Sequence, residues 1–363
     1  MTRVDPDESG TARPRAADHR RGAANNFEAL RWIAASAVIV AHAWGLRGLD
    51  GLYGRATGLD LGWSAVVIFF TLSGYLICGS AQRRSAADFW KARALRILPG
   101  LLVCTTLTAL IVFPFSDVDL RTYLSSGQTL KFVFGTGTLL GTEYALPGVF
   151  QHNVSTQVNG SLWTLRYEVA CYLAVFLIYV ATRASRLNFA HAILTAGLAC
   201  ATAHALIVFS GRATPVQITN ILSLFFPFAI GAWFQARAKS TPTLFACLGA
   251  VALAACFSGT ALYTVLAAAT ISLFTLWVAF RRNRALAAIS SLPDYSYGIY
   301  IYAYPIQQMI ISATPGWHPL QQAIAAFVLT LVPASFSWHF IEKPAMALKS
   351  LSLLRRRPSS ALT

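Results

Sequence analysis

A small set of ionisable residues lies in apolar stretches of the sequence, where their types allow acid–base and phosphate chemistry. His42 lies within one such stretch and Glu168 near the start of another. An imidazole can act as a general base, and a carboxylate beside it can set its tautomer and basicity. An ionisable group at membrane depth is costly, so it indicates a function. We interpret His42 and Glu168 as candidate catalytic residues, with Glu168 as the expected hydrogen-bonding partner of His42. The alternative is that His42 is a polar residue whose hydrogen bonds are satisfied by a neighbouring helix.

Three arginines lie near these stretches, and two of them, Arg93 and Arg96, have the spacing expected of an anion site. Arg31 precedes His42 by about three helical turns, so both lie on one helix face, about 16 Å apart along the axis. Arg93 and Arg96 are three residues apart and also share a face. Arginine forms bidentate contacts with phosphate groups. The alternatives are that these residues anchor the topology or contact anionic lipid headgroups.

The composition indicates what kind of fold must hold these residues. Of the 363 residues, 56% are hydrophobic and 12% are charged, whereas an average soluble domain has roughly 25% charged residues. Apolar runs of about 20 residues are long enough to cross a membrane. The sequence therefore predicts an all-α, polytopic membrane protein with about ten transmembrane helices. The predicted spans are 30–48, 62–81, 97–114, 162–182, 189–209, 217–235, 243–259, 260–280, 296–313 and 321–341.

The distribution of basic residues predicts the orientation of these spans. With both termini in the cytoplasm, 23 of the 29 Lys and Arg residues fall on the cytoplasmic side, as the positive-inside rule requires. This topology accounts for the net charge of +15 and argues against nucleic acid as a partner. We expect a disordered cytoplasmic tail at 1–27, a membrane domain at 28–348 and a basic cytoplasmic tail at 349–363. The longest extracytoplasmic segment is then 115–161, and its apolar patch at 132–140 predicts a re-entrant or interfacial piece.

Other residues with metal-binding or redox chemistry have simpler interpretations. The six cysteines all lie inside apolar spans, and none has CxxC spacing. This pattern favours small buried hydrophobic residues over disulfides or zinc ligands. His204 has no charged neighbour in sequence, so we interpret it as a structural histidine. We predict no metal site.

Six motifs, in their order along the chain, resemble those of a single family. They are Glu28-Ala29-Leu30-Arg31 followed by His42, Phe69-Phe70-Thr71-Leu72-Ser73-Gly74-Tyr75, Arg93-x-x-Arg96-Ile97-Leu98-Pro99, Ser161-Leu162-Trp163-Thr164-Leu165-x-x-Glu168, Tyr295-Ser296-Tyr297-Gly298-x-Tyr300 and Phe340-Ile341-Glu342-Lys343-Pro344. Each motif is weak alone, but six in this order are specific. From about residue 25 to 348 the chain resembles the acyltransferase-3 family of integral membrane O-acyltransferases, which modify bacterial exopolysaccharide, O-antigen and related glycans.

The resemblance implies an enzyme of the bacterial inner membrane that moves an acyl group to a hydroxyl. The expected donor is cytoplasmic acyl-CoA, first of all acetyl-CoA, used as a substrate, so no permanently bound cofactor is expected. The expected acceptor is a cell-surface glycan or a lipid-linked saccharide. The family's first-helix Arg and His match Arg31 and His42. Its cytoplasmic arginine pair matches Arg93 and Arg96, and its carboxylate matches Glu168.

Three positions depart from the family's pattern. Glu28 stands where Asp is usual, Val169 stands where many members have a second Glu, and Ala303 stands where a His before Pro is common. The last two departures leave no second carboxylate and no ninth-span histidine to take part in the chemistry.

The predicted mechanism places the donor's phosphates on Arg31, Arg93 and Arg96, and its pantetheine arm along the first helix. His42, polarised by Glu168, would deprotonate the acceptor hydroxyl as it attacks the thioester. An acyl-histidine intermediate is the alternative route. A proton-coupled transporter of a saccharide or small molecule would also explain intramembrane His and Glu, although no inverted repeat is evident. A non-catalytic scaffold would need no buried histidine.

Overall fold

The computed structural model describes residues 25–49, 59–237 and 241–349, and their regular structure is helical. The ten longer helices within these ranges are α1 Phe27–Gly45, α2 Leu61–Arg83, α3 Ala86–Ile111, α4 Trp163–Ser185, α5 Phe189–Ser210, α6 Val216–Ala236, α7 Leu244–Cys256, α8 Ala261–Ala279, α9 Ser296–Ala313 and α10 Pro319–Ser337. Apart from residues 25–27 and Lys349, the tails predicted at 1–27 and 349–363 lie outside the described residues.

Each predicted span overlaps one of these helices. Seven of them, α2 to α6, α8 and α10, are long and apolar enough to cross a membrane. Helix α7 has 13 residues, fewer than the roughly 20 that a membrane span needs. Helices α1 and α9 have polar side chains within their apolar sequences. The prediction of an all-helical, multi-pass membrane protein is therefore confirmed, while the count of ten spans and the cytoplasmic location of both termini stay predictions.

Helix α9 is the most enclosed element among the described residues. Of its 18 residues, 14 are buried, and it packs against α1, α3 and α10. Its polar side chains bond to neighbouring backbones. The Gln307 amide donates to the Ile39 carbonyl over 2.8 Å, and the Tyr297 hydroxyl donates to the Ile97 carbonyl, also over 2.8 Å. These bonds allow a polar helix inside an apolar bundle, because each partner replaces a lost contact with water.

Helices α2 and α6 cross at unusually short range. A Cβ added at Gly74 would lie 2.0 Å from the carbonyl oxygen of Phe228, and one added at Gly231 would lie 2.0 Å from that of Thr71. Small residues at a membrane helix crossing permit this close backbone approach and the dispersion contacts that come with it. The crossing fixes the position of α2, which lies beside the candidate site.

Helix α3 begins at Ala86, well before the predicted span 97–114. The Ser85 side chain caps it by accepting a hydrogen bond from the Asp88 backbone N–H at 3.2 Å. The charged residues after Ser85 interrupt the apolar run but do not interrupt the helix. Arg93 and Arg96 consequently lie on α3, in the helical geometry that their spacing predicts.

The segment 115–161 packs onto the ends of α3 and α9. It contains two short helices, Leu120–Ser125 and Gly127–Leu130, followed by a π-helical turn at Lys131–Thr136. The Tyr123 hydroxyl donates to the Ala109 carbonyl over 2.6 Å, and the Asn159 amide donates to the Ile301 carbonyl over 2.8 Å. The segment is therefore an integral part of the fold on the side predicted to be extracytoplasmic.

Candidate active site

A cavity of about 120 Å³ lies between α1, α2, α3, α4 and α9, and we call it the central cavity. Arg31, Arg93 and Arg96 form one end, and Thr164 and Tyr300 line the other. Much of the wall between them consists of aliphatic and aromatic side chains of α2. The structure thus brings the three predicted anion-binding arginines to one apolar-walled cavity.

Two of these arginines form ion pairs within the protein. The Asp294 carboxylate accepts hydrogen bonds from Arg96 at 2.6 Å and from Arg31 at 3.2 Å. Arg96 also binds Glu342 at 3.2 Å. Burial by itself raises the pKa of Asp294, but Arg31 and Arg96 outweigh it, so the net pKa lies below its ordinary value. The charges of Arg31 and Arg96 are therefore balanced by carboxylates, as buried charges must be.

The sequence pattern predicts no role for either carboxylate. Asp294 lies two residues before the predicted span 296–313, so it is not among the ionisable residues inside the predicted spans. Glu342 belongs to a quoted motif but had no predicted partner. Their positions could have predicted the ion pairs, because both carboxylates lie at span ends on the side predicted for Arg31 and Arg96.

Arg93 differs from the other two arginines. Its Nε is buried without a hydrogen-bond partner, and no carboxylate among the described residues forms an ion pair with it. Its guanidinium carbon lies 6.0 Å from the centre of the Tyr172 ring. An aromatic ring alone compensates a cation weakly. Within the predicted set, Arg93 therefore has the charge that is most available to an incoming anion.

Glu168 lines the middle of the central cavity. Its Oε1 accepts hydrogen bonds from the Ser73 hydroxyl, at 2.9 Å, and from the Tyr172 hydroxyl. Arg166 points elsewhere and donates to the Tyr167 hydroxyl over 2.8 Å, as expected for residues two apart on a helix. The carboxylate is therefore held by neutral hydroxyl groups from α2 and α4.

His42 lies outside the residues that line the central cavity. Its ring meets the Tyr304 ring edge to face, with 5.1 Å between the ring centres. Its Nδ1 is buried and has no hydrogen-bond partner among the described residues. Since Arg31 contacts Asp294 and His42 contacts Tyr304, α1 and α9 run side by side in the same direction. Arg31 and His42 thus share the helix face that their spacing predicts.

The expected hydrogen bond between His42 and Glu168 is not formed in the structure. Tyr300 lines the central cavity, whereas Tyr304, one turn or about 6 Å farther along α9, contacts His42. The Tyr300 hydroxyl donates to the Ser161 carbonyl over 2.8 Å and lies 2.6 Å from the Thr164 hydroxyl. Glu168 thus lines the cavity that ends at Tyr300, and we call this bonded tyrosine the tyrosine partition.

The regions that match known proteins cover most of the described residues. The model of an acyltransferase domain matches residues 25–338. A Shigella phage Sf6 protein named O-acetyl transferase is 28% identical over 330 residues, covering 88% of this chain and 95% of the phage protein. Nodulation protein 10 of Rhizobium leguminosarum bv. viciae is 28% identical over 374 aligned residues, covering 95% of this chain and 99% of that protein.

No solved structure gives a significant match to the chain. The family match nevertheless covers five of the six motifs and every residue that lines the central cavity, while the motif Phe340-Ile341-Glu342-Lys343-Pro344 lies just beyond it. The chain therefore belongs to the acyltransferase-3 family of membrane proteins.

Proposed function

We propose that this protein is a membrane O-acyltransferase that moves an acyl group from cytoplasmic acyl-CoA to a hydroxyl of a cell-surface glycan or lipid-linked saccharide. The observation that carries the proposal is the central cavity, which is lined by Arg93, Glu168 and Tyr300, with Tyr300 one turn of α9 from the tyrosine that contacts His42. The name of the phage relative favours acetyl as the acyl group. The enzyme would work in the bacterial inner membrane.

The donor's phosphates bind at the basic end of the cavity. Arg93 makes the principal contact, since its charge has no carboxylate partner among the described residues. Arg31 and Arg96 contribute remaining N–H donors while Asp294 holds their guanidinium groups in place. The pantetheine arm then extends along the apolar wall, which suits a long chain with few charged groups. The thioester is thereby directed towards Glu168 and Tyr300.

The acceptor hydroxyl approaches His42 from the side opposite to Arg93. His42 takes the hydroxyl proton as the oxygen attacks the thioester carbonyl. The tetrahedral intermediate then collapses, the C–S bond breaks, and CoA leaves as a thiolate that takes up a proton. This direct route needs one nitrogen of His42 without a hydrogen-bond donor, and the unpartnered Nδ1 supports such a role.

Glu168 contacts the donor arm in this proposal and does not polarise His42. Its carboxylate fixes the hydroxyl groups of Ser73 and Tyr172 along the cavity wall. A carboxylate at this depth also attracts the arginine charges at the cavity mouth. Its role is therefore to shape the path of the thioester.

A reconstitution experiment tests the proposed function. The purified protein in liposomes is supplied with radiolabelled acetyl-CoA and the lipid-linked glycan fraction of its host, and label in the glycan is counted after extraction. We expect transfer that depends on protein and donor together. Movement of saccharide across sealed liposomes without any acyl donor, with no labelled glycan, would instead identify a transporter.

Replacing Arg93 with alanine tests the donor site. We expect the KM for acyl-CoA to rise about 10- to 100-fold, because a hydrogen bond to a charged group contributes about 1.5–3 kcal/mol. Arg93→Lys should recover part of the affinity. Arg212→Ala, an exposed arginine between α5 and α6, is the matched control and should leave KM unchanged. An unchanged KM in Arg93→Ala would remove Arg93 from the donor site.

A further inference from the structure

A second cavity with strongly basic walls lies where α2 ends and α3 begins. Its volume is about 250 Å³. Its lining residues are Arg83, Arg84, Ser85, Asp88, Lys91, Ala92 and Lys349. We call it the basic cavity. Lys349 follows α10 and the short helix Lys343–Ala347, so the cavity joins three parts of the chain.

The basic cavity concentrates like charges. Among the described lining residues there are four basic side chains and one carboxylate, that of Asp88, which accepts a hydrogen bond from the Ser85 hydroxyl at 2.7 Å. The pKa of Lys349 is lowered to about 8, first by burial and then by Arg93, Arg96 and Arg84. Crowded cations raise the free energy of the empty site, and a bound anion would lower it.

The basic cavity borders the central cavity. Ala92 lines the basic cavity and the next residue, Arg93, lines the central cavity. Successive helical residues point about 100° apart, so α3 presents neighbouring faces to the two sites. A molecule whose arm fills the central cavity can therefore extend its charged end into the basic cavity.

We infer that the basic cavity binds the 3′-phosphate on the adenosine end of the acyl-CoA donor. The inference rests on the proposed function, in which the donor's arm fills the central cavity. A phosphate monoester has up to two negative charges, which match the excess of basic side chains in this cavity. Arg93 binds the diphosphate, while Arg84 and Lys349 bind the 3′-phosphate. The donor is thus recognised at two separate phosphate positions.

The experiment compares CoA with 3′-dephospho-CoA, which lacks only the phosphate in question. Binding is measured by calorimetry on the full chain in nanodiscs of neutral phosphatidylcholine. We expect the protein to bind CoA at least about 10-fold more tightly, as a charged hydrogen bond allows. Arg84→Gln and Lys349→Gln should each remove most of this preference and leave the affinity for 3′-dephospho-CoA unchanged. Arg212→Gln should preserve the preference.

Anionic lipid headgroups have the same phosphate chemistry, so a second set of nanodiscs contains phosphatidylglycerol. Equal affinities for the two nucleotides in neutral nanodiscs, with no effect of either variant, would overturn the inference. If phosphatidylglycerol binds in the basic cavity of the wild-type protein and not in the Arg84→Gln and Lys349→Gln variants, the cavity is a lipid site and the inference is overturned. Acyl transfer at equal rates from acyl-CoA and from acyl-3′-dephospho-CoA would overturn this inference and leave the proposed function intact. A preference for CoA over 3′-dephospho-CoA without acyl transfer would support the phosphate site and overturn the proposed function.

Discussion

Replacing His42 with alanine is expected to lower kcat for acyl transfer by about 100- to 10,000-fold, the usual contribution of a positioned general base. The affinity for acyl-CoA should change little, because His42 lies outside the residues that line the central cavity. The measurement is steady-state transfer in liposomes together with calorimetric binding of CoA. Loss of turnover with retained binding assigns His42 to the chemical step.

His204 provides the matched control for that substitution. Like His42, it lies within a long apolar helix and has a buried Nδ1 without a hydrogen-bond partner among the described residues. It lies on α5, apart from the residues that form the central cavity. His204→Ala should therefore keep its transfer activity. Normal turnover in His42→Ala at a normal expression level would show that another group removes the proton.

The largest expected effect on stability comes from Asp294→Asn. This change leaves Arg31 and Arg96 without the carboxylate that binds both of them. Removing one partner from a buried ion pair costs about 3–5 kcal/mol when the remaining charge is left uncompensated. Arg96 keeps Glu342 at 3.2 Å and Arg31 keeps Glu28 at 3.7 Å, so part of the loss is offset. We expect the free energy of unfolding in detergent, measured by denaturant titration, to fall by up to about 3 kcal/mol.

The pH dependence of unfolding gives a second measurement on Asp294. Its pKa in the folded protein lies below the ordinary value of 3.8, so its contribution to stability is complete above that value. The contribution is lost as the pH falls through the lowered native pKa. Asp294→Asn should lack this acid-dependent loss.

Asp119→Asn is the control for both measurements. Asp119 is an exposed N-cap of the short helix Leu120–Ser125, and asparagine caps helices about as well as aspartate. The free energy of unfolding of the Asp119→Asn variant should therefore be nearly unchanged. An Asp294→Asn variant that unfolds normally but binds CoA poorly would mean that Arg31 and Arg96 serve the donor rather than the fold.

Much of the helical architecture follows from the hydrophobic pattern, since apolar runs of span length form helices in a membrane. The shared face of Arg31 and His42 follows from helical spacing alone. The start of α3 at Ala86 does not follow from the hydrophobic pattern. Charged residues end an apolar run, but the helical hydrogen bonds continue through them. Residue spacing therefore predicts which side chains share a face of one helix, but it does not predict which residues of other helices they contact.

The partners of the buried charges could not be predicted for the same reason. Whether Glu168 meets His42 or Ser73 depends on the rotation and depth of α4 relative to α1 and α2, which close packing between helices decides. The structure pairs Glu168 with Ser73 and Tyr172, and it pairs Arg96 with Asp294.

The tyrosine partition bears on the electrical insulation of the membrane. An enzyme whose two substrates arrive from opposite faces is at risk of leaking protons and ions, and each elementary charge that crosses releases about 2.3 kcal/mol per 100 mV of membrane potential. Tyr300, bonded to Ser161 and next to Thr164, lines the central cavity with a neutral aromatic ring. In the proposed reaction the thioester meets the acceptor beside this ring, so a neutral side chain lies on the path that a leaking charge would take. The same side chain can thus hinder the passage of ions and border the place where thioester and acceptor react.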